Sequence, residues 1–201
     1  SRTSPKPVRW HDHIDDVVGH AQRAVQKLPL RDQVRQAVIL AARFHDLGKT
    51  REVWQRGIGN PCPTEWLAKS GKGMTPRDIC PDYRHEFGSL LDVLDATQGY
   101  KAQVDQLDGE MQDLVLHLIA AHHGRARPHF PQAEALDPEH KHEVVIELMA
   151  DIPGRFARLQ RKYGRWGLAY LESLLRSADW AASAKPSAFA EPWPPEQEKP
   201  T

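Results

Sequence analysis

Apolar residues recur at helical spacing through most of this chain, and several of the stripes end on histidine. Residues 12–28 carry Ile14, Val17, Val18, Ala21, Ala24, Val25 and Leu28 at steps of three and four, followed by Pro29. That pattern is one face of an amphipathic helix. Residues 31–46 repeat it with Val34, Val38, Ala41, Ala42 and His45, and Gly48 supplies the stop. Residues 83–96 hold Phe87, Leu90, Leu91 and Leu94, and residues 109–123 hold Met111, Leu114, Val115, Leu118 and Ile119 ahead of Gly124. Segments 142–151 and 154–163 flank Pro153, which predicts a break or kink there, and a last helix spans about 165–184. No segment alternates apolar and polar residues between turn signals, as a half-buried strand would. The predicted fold class is all-α, a compact helical bundle.

Two segments interrupt the periodicity. Residues 50–82 contain Gly57, Gly59, Pro61, Pro63, Gly71, Gly73, Pro76 and Pro81 together with Trp54 and Trp66. A weakly patterned stretch of this length inside a compact domain predicts a functional loop or an ordered insertion. Residues 125–141 form a second polar loop. From Pro186 onward the chain holds five of its sixteen prolines and no periodic pattern, so it reads as an extended tail or linker. The first ten residues are polar and lack both an initiator Met and a secretory signal. The expectation is a processed product or a domain excised from something larger.

Bulk properties narrow the function classes. Lys+Arg and Asp+Glu stand at 27 each, which excludes a strongly basic nucleic-acid module while leaving room for local patches. No apolar run approaches the 18 or so residues that cross a membrane. Cys62 and Cys80 are too few for a disulfide framework and lack CxxC spacing. They read as plain loop thiols in a reduced, cytoplasmic setting.

Eleven of the 201 residues are histidine, and their placement matters more than their number. His13, His45, His85 and the pair His122–His123 each lie in or beside an apolar helical stripe. Asp46 follows His45, and Asp179 lies on the last helix in "RSADWAAS". Taken singly, an inward histidine is usually a satisfied core residue, and an HHG sequence is a helix cap that complements the dipole. Taken together, five histidines and two aspartates on successive helix ends point to a metal centre in the bundle core. Burying them without a cation would require a separate partner for each. Imidazole and carboxylate donors suit Mn, Fe, Co, Ni or Zn, and the scarcity of cysteine disfavours structural zinc. An aspartate next to a histidine can bridge two ions, and two cations about 3.5–4 Å apart activate water for phosphoryl displacement. His11, His20, His117, His129, His140 and His142 fall off these stripes or in polar loops and are not expected to ligate.

The strings "DHIDDVVGHA", "RFHDLGK", "YRHEFGS", "AAHHG" and "SADWAAS" resemble the HD phosphohydrolase superfamily. More narrowly, they resemble the HD nuclease domain of the CRISPR type I helicase-nuclease. The resemblance runs from about residue 10 to 184, and HDxGK alone is the least specific part of it. It implies an HD-type bundle over residues 1–185, with a long loop insertion at about 50–82 and a Pro-rich tail or linker at 186–201. It implies that His13, His45, Asp46 and Asp179 hold one divalent ion, that Asp46 bridges, and that His85, His122 and His123 serve a second. Mn, Fe, Co and Ni come first as ions, with Zn or Mg as alternatives. Asp46 and Lys49 would be catalytic, Lys49 standing near the scissile phosphate. Ser89 and Ser183 would support the ligands or touch substrate.

The implied activity is metal-dependent cleavage of single-stranded DNA, fed by a helicase domain or subunit during CRISPR interference. The chain lacks GxxxxGK[ST] and so is not itself the ATP-driven motor. Arg84, Arg125 and Arg127 adjoin ligand motifs and are placed to hold phosphates, and Trp54 or Trp66 to stack bases. Two rivals remain open at this level. One is an HD-type nucleotide phosphohydrolase using the same groups. The other is an assembly module whose metal site only stabilises the bundle.

Overall fold

The structure is a computed structural model that describes residues 4, 6–60, 62, 64–71, 83–128 and 142–191, with His142 described by its backbone alone. Among these residues the order is β1 (Pro7–Arg9), α1 (Trp10–Gln26), α2 (Asp32–Phe44), a 3-10 turn (Leu47–Thr50), α3 (Glu52–Gly57), β2 (Leu67–Ser70), α4 (His85–Leu94), α5 (Tyr100–Asp105), α6 (Gly109–Ala121) and α7 (His142–Ala184). The all-α expectation holds, because the helices carry the core. His129, His140, the His142 side chain, Cys80, most of the 125–141 loop and the end of the proline-rich tail lie outside the described residues.

Each long helix buries the face its sequence marks. α1 turns Ile14, Val17, Val18, Ala21 and Val25 inward, and α2 does the same with Val34, Ala37, Val38, Ala41, Ala42 and Phe44. α1 lies against α2 and α7, α2 against α6, and α6 against α4 and α7. Leu90, Leu114, Leu118, Ile119 and Leu175 fill the space between them and are essentially sealed from water. Each such side chain contributes about 1.5–3 kcal/mol of burial. α6 starts at an Asp108 N-cap whose carboxylate accepts the Met111 amide at 2.9 Å, a bond that stabilises a helix by about 1 kcal/mol.

The structure departs from the sequence expectation in three places. First, Pro7–Arg9 and Leu67–Ser70 pair as a short antiparallel ribbon with an irregularity between Val8 and Arg9. Strands of three and four residues are too short to show alternation. Second, the described residues of the 50–82 insertion carry regular elements, α3 and β2, where the sequence shows no pattern. Third, α7 runs through Pro153 and leaves helical torsions at Gly164 instead (φ 69°, ψ 169°). The proline ring fixes φ at a value helices already use and costs one hydrogen bond. A positive φ, by contrast, interrupts the helix outright and is cheap only for glycine. Among the described residues no helix is long and apolar enough to cross a membrane.

Candidate metal centre

α2 ends one residue short of His45, and its inner face continues into the chain that follows. His45 caps the helix in an αR conformation, Asp46 leaves helical torsions (φ −113°, ψ 16°), and the 3-10 turn begins. Both side chains are therefore delivered inward, and both are buried. Gly48 makes this turn possible. A Cβ there would lie 2.2 Å from the His85 carbonyl oxygen and 2.8 Å from the Ser89 amide nitrogen. Only glycine lets the start of α4 pack this closely on the turn. The Tyr83 hydroxyl donates to the Gly48 carbonyl at 2.7 Å and closes the same contact.

Asp46 stands at the middle of the cluster. Its Oδ2 faces His13 Nε2 and His45 Nε2, each at 3.3 Å, and takes a bond from Lys49 Nζ at 2.6 Å. Its Oδ1 faces His85 Nε2 at 3.1 Å and His122 Nε2 at 3.8 Å. His13, from the first turn of α1, also meets Asp179 Oδ1 from α7 at 3.2 Å. His123 Nε2 lies 3.2 Å from His85 Nε2. Two groups of donor atoms converge within 4.8 Å: His13 with His45 and Asp46, and His85 with His122 and His123.

Whether these residues suit a cation can be judged from their unmet bonding. His13 Nε2, His45 Nε2, His122 Nε2 and Asp46 Oδ1 are all buried and lack hydrogen-bond partners among the described residues, although they crowd together. Near each other but poorly aligned, they are lone pairs and an anion that a cation would satisfy. His45 Nδ1 lies 2.8 Å from the Ala42 carbonyl and His122 Nδ1 lies 2.7 Å from the Ile119 carbonyl. A carbonyl can only accept, so each Nδ1 carries the proton and each Nε2 is left as a ligand lone pair. The donor set fits divalent ions.

The electrostatics agree. Burial would raise Asp46, but His45, Lys49 and His13 outweigh it and hold the carboxyl well below its ordinary range. Asp179 is likewise lowered, burial being overcome by the His13 imidazole facing it and the charge of His45. Burial, with Lys49 next, draws His85 down to about 4. Burial, with His45 and His85 next, draws His122 down to about 4. His123 is lowered by burial and then by His122. Burial also works against His45, yet Asp46 beside it raises that imidazole. The centre is thus built to keep its carboxylates ionised and three of its imidazoles neutral.

Other expected residues take varied places. Ser89 is fully buried; its Oγ accepts the Gly48 amide at 2.9 Å and reaches the His45 and His85 carbonyls at 2.8 and 2.7 Å. Ser89 thus staples the turn to α4, its hydroxyl engaged with backbone groups beside His45 and His85. Ser183 Oγ bonds Asp179 Oδ1 at 3.3 Å and is half-buried. Arg84, the N-cap residue of α4, and Arg125, just past Gly124, are also half-buried. Arg127 pairs instead with Glu172, which also bonds His117 Nε2 at 2.7 Å, so His117 belongs to a separate buried pair. Trp54 is buried, its ring centroid 4.7 Å from that of His85 in an edge-on arrangement, and Lys49 Nζ lies 5.4 Å from the centre of its ring. It supports the ligand and is closed to base stacking, whereas Trp66 stays 46% exposed. His11 is exposed, His20 is half-buried, and Cys62 is a free thiol.

Sequence reasoning missed two contributors. Trp10 opens α1 and donates its indole N–H to the Asp46 carbonyl at 2.8 Å. A tryptophan at a helix start carries no signal of such a contact. Lys69, on β2, is mostly buried; burial and then the charge of Lys49 lower its ammonium, while Asp179 and Asp46 oppose. Its strand lies in the insertion that showed no pattern.

The sequence matches the family described as Cas3, HD domain, over residues 8–188. The chain belongs to the Cas3 HD domain family. Membership makes it a metal-dependent phosphohydrolase domain of nuclease type, acting in type I CRISPR in the context of the Cas3 helicase. The buried His/Asp clusters agree with that chemistry. No curated protein and no solved structure matches the chain.

Proposed function

We propose that this Cas3 HD domain hydrolyses phosphodiester bonds of single-stranded DNA at two divalent ions. In this reading His13, His45, Asp46 and Asp179 hold one ion, His85, His122 and His123 hold the other, and Asp46 bridges. The observation that carries it is the division of Asp46, with Oδ2 turned to His13 and His45 and Oδ1 turned to His85 and His122. A carboxylate serving one ion has no need of a ligand cluster on each oxygen. Five imidazoles disfavour Mg, and imidazole with carboxylate suits Mn, Fe, Co or Ni, with Zn as an alternative.

Bound ions supply an activated water and positive charge for the oxygens of the breaking bond. The chain supplies position. Lys49 Nζ donates to Asp46 Oδ2 at 2.6 Å. Freed from that bond, its ammonium neutralises charge that builds on the non-bridging phosphate oxygens. Ser183 steadies Asp179. Arg84 and Arg125 hold backbone phosphates of an extended strand delivered by a helicase domain or subunit, and the exposed face of Trp66 offers a stacking surface.

The test is cleavage of single-stranded DNA in Mn²⁺, Co²⁺ or Ni²⁺ beside nucleoside mono- and triphosphates. The parent cuts DNA in preference to nucleotides, and Asp46→Ala abolishes cutting and lowers bound metal while the fold is retained. Equal cutting by parent and variant overturns the site, and a preference for nucleotides overturns the substrate. An anomalous-scattering map of Mn²⁺-soaked crystals would count the ions and name their ligands.

A further inference from the structure

Three of the imidazoles at the centre sit at helix ends, but not at the same end. His45 and His122 follow the last turns of α2 and α6, where the carbonyl three residues earlier comes round to Nδ1. His85 is the first residue of α4. A helix start has no preceding turn to offer a carbonyl. What stands beside His85 Nδ1 is Glu86 Oε2, at 3.5 Å. Glu86 is fully buried, and neither carboxylate oxygen has a hydrogen-bond partner among the described residues. A sealed carboxylate with nothing to accept is costly, so packing alone does not account for it. It also stands outside the ligand group, since the three imidazoles of the His85 cluster converge without it.

The tautomers explain the arrangement. His85 Nε2 faces Asp46 Oδ1 at 3.1 Å without a formed hydrogen bond between them, and the nearby negative charge draws the imidazole proton toward Nε2. Ligation needs the opposite form, with Nε2 bare and the proton on Nδ1. Resting on the two-ion reading above, we infer that Glu86 is the positioning residue for His85. Its carboxylate accepts the Nδ1 proton, selects the ligating tautomer and holds the ring toward Asp46 and His123. The proton moves from Nε2 to Nδ1 on the same imidazole, with no net release. The first turn of α4 suits the carboxylate, because the helix dipole favours negative charge there.

The experiment is Mn²⁺ titration calorimetry on the full chain, comparing parent, Glu86→Gln, His85→Asn and the double variant, with metal-free melting curves in chelator. Glu86→Gln weakens one of two Mn²⁺ sites by about 10- to 100-fold, the usual effect of removing a ligand's outer partner. The other site and the metal-free melting midpoint stay as in the parent. On the His85→Asn background the same change adds nothing. If Glu86→Gln lowers the metal-free midpoint, Glu86→Asp, which keeps the charge and shortens its reach, carries the same expectation. Parent-like binding by Glu86→Gln overturns the inference alone, as does an effect that adds in full to that of His85→Asn. A parent that takes up no second Mn²⁺ overturns the two-ion reading and this inference with it.

Discussion

The indole of Trp10 donates to the main-chain carbonyl of Asp46 across 2.8 Å, joining the first residue of α1 to the residue that turns its carboxylate to both ligand clusters. α1 also carries His13, so one bond fixes the distance between a ligand and the proposed bridge. Trp10→Phe keeps the ring and removes the donor. A bond of this kind is worth about 1 kcal/mol. The expected outcome is a small fall in stability and a disproportionate fall in kcat on single-stranded DNA. Melting curves and cleavage rates at saturating Mn²⁺ separate the two; an unchanged kcat would show that the bond does not hold Asp46.

Gly48→Ala tests the contact between the turn and α4. The added methyl meets backbone atoms of His85 and Ser89, and backbone cannot step aside as a flexible side chain can. Overpacking of this type costs about 1–3 kcal/mol, and each kcal/mol moves Tm by roughly 2–4 °C in a chain of this size. Because α4 must retreat with His85, the His85 cluster loses metal affinity before the His13 cluster does. A variant that melts and binds Mn²⁺ like the parent would show that the turn yields freely.

Much of this was legible in the sequence because a helix advertises its inner face every three or four residues. His45 and His122 could be read as inward by extending the stripes of Val38–Ala41 and Leu118–Ile119, and Asp179 by its place on the last helix. What escaped has a common cause. Trp10 acts through a backbone carbonyl brought near by tertiary packing, and Lys69 sits on a four-residue strand. None of these relations has a period. Pro153 and Gly164 show a different limit, since the proline marks the expected break and only the torsions place it at Gly164 instead.

Metal-free protein should lose stability as pH falls from about 6.5 to 4. His85 and His122 are drawn down to about 4 in the folded protein, against an ordinary value near 6.5. Between those limits the unfolded chain binds protons that the folded centre refuses. Each imidazole then costs about 1.4 kcal/mol per pH unit. His123 acts in the same direction, and His45, raised by Asp46, offsets part of the loss. The lowered Asp46 and Asp179 lose their contribution only at more acid pH. Denaturant unfolding in chelator across this range gives the slope, which His85→Asn or His122→Asn should flatten. A slope indifferent to both substitutions would place the proton uptake elsewhere.

Lys69 offers a way to separate substrate handling from metal binding. It lies on β2, outside both ligand groups, yet close enough to Lys49, Asp46 and Asp179 for their charges to bear on it. Burial and the charge of Lys49 lower its ammonium, and an added negative charge beside it would favour the charged form. The phosphate of an incoming strand supplies such a charge. Lys69→Ala should raise KM for single-stranded DNA by about tenfold, the loss of one charged phosphate contact worth about 1.4 kcal/mol, while Mn²⁺ affinity from calorimetry stays constant. Lys69→Arg, which keeps the charge, should restore most of the binding. If instead Lys69→Ala lowered Mn²⁺ affinity and left KM alone, the lysine would serve the carboxylates of the centre and not the strand.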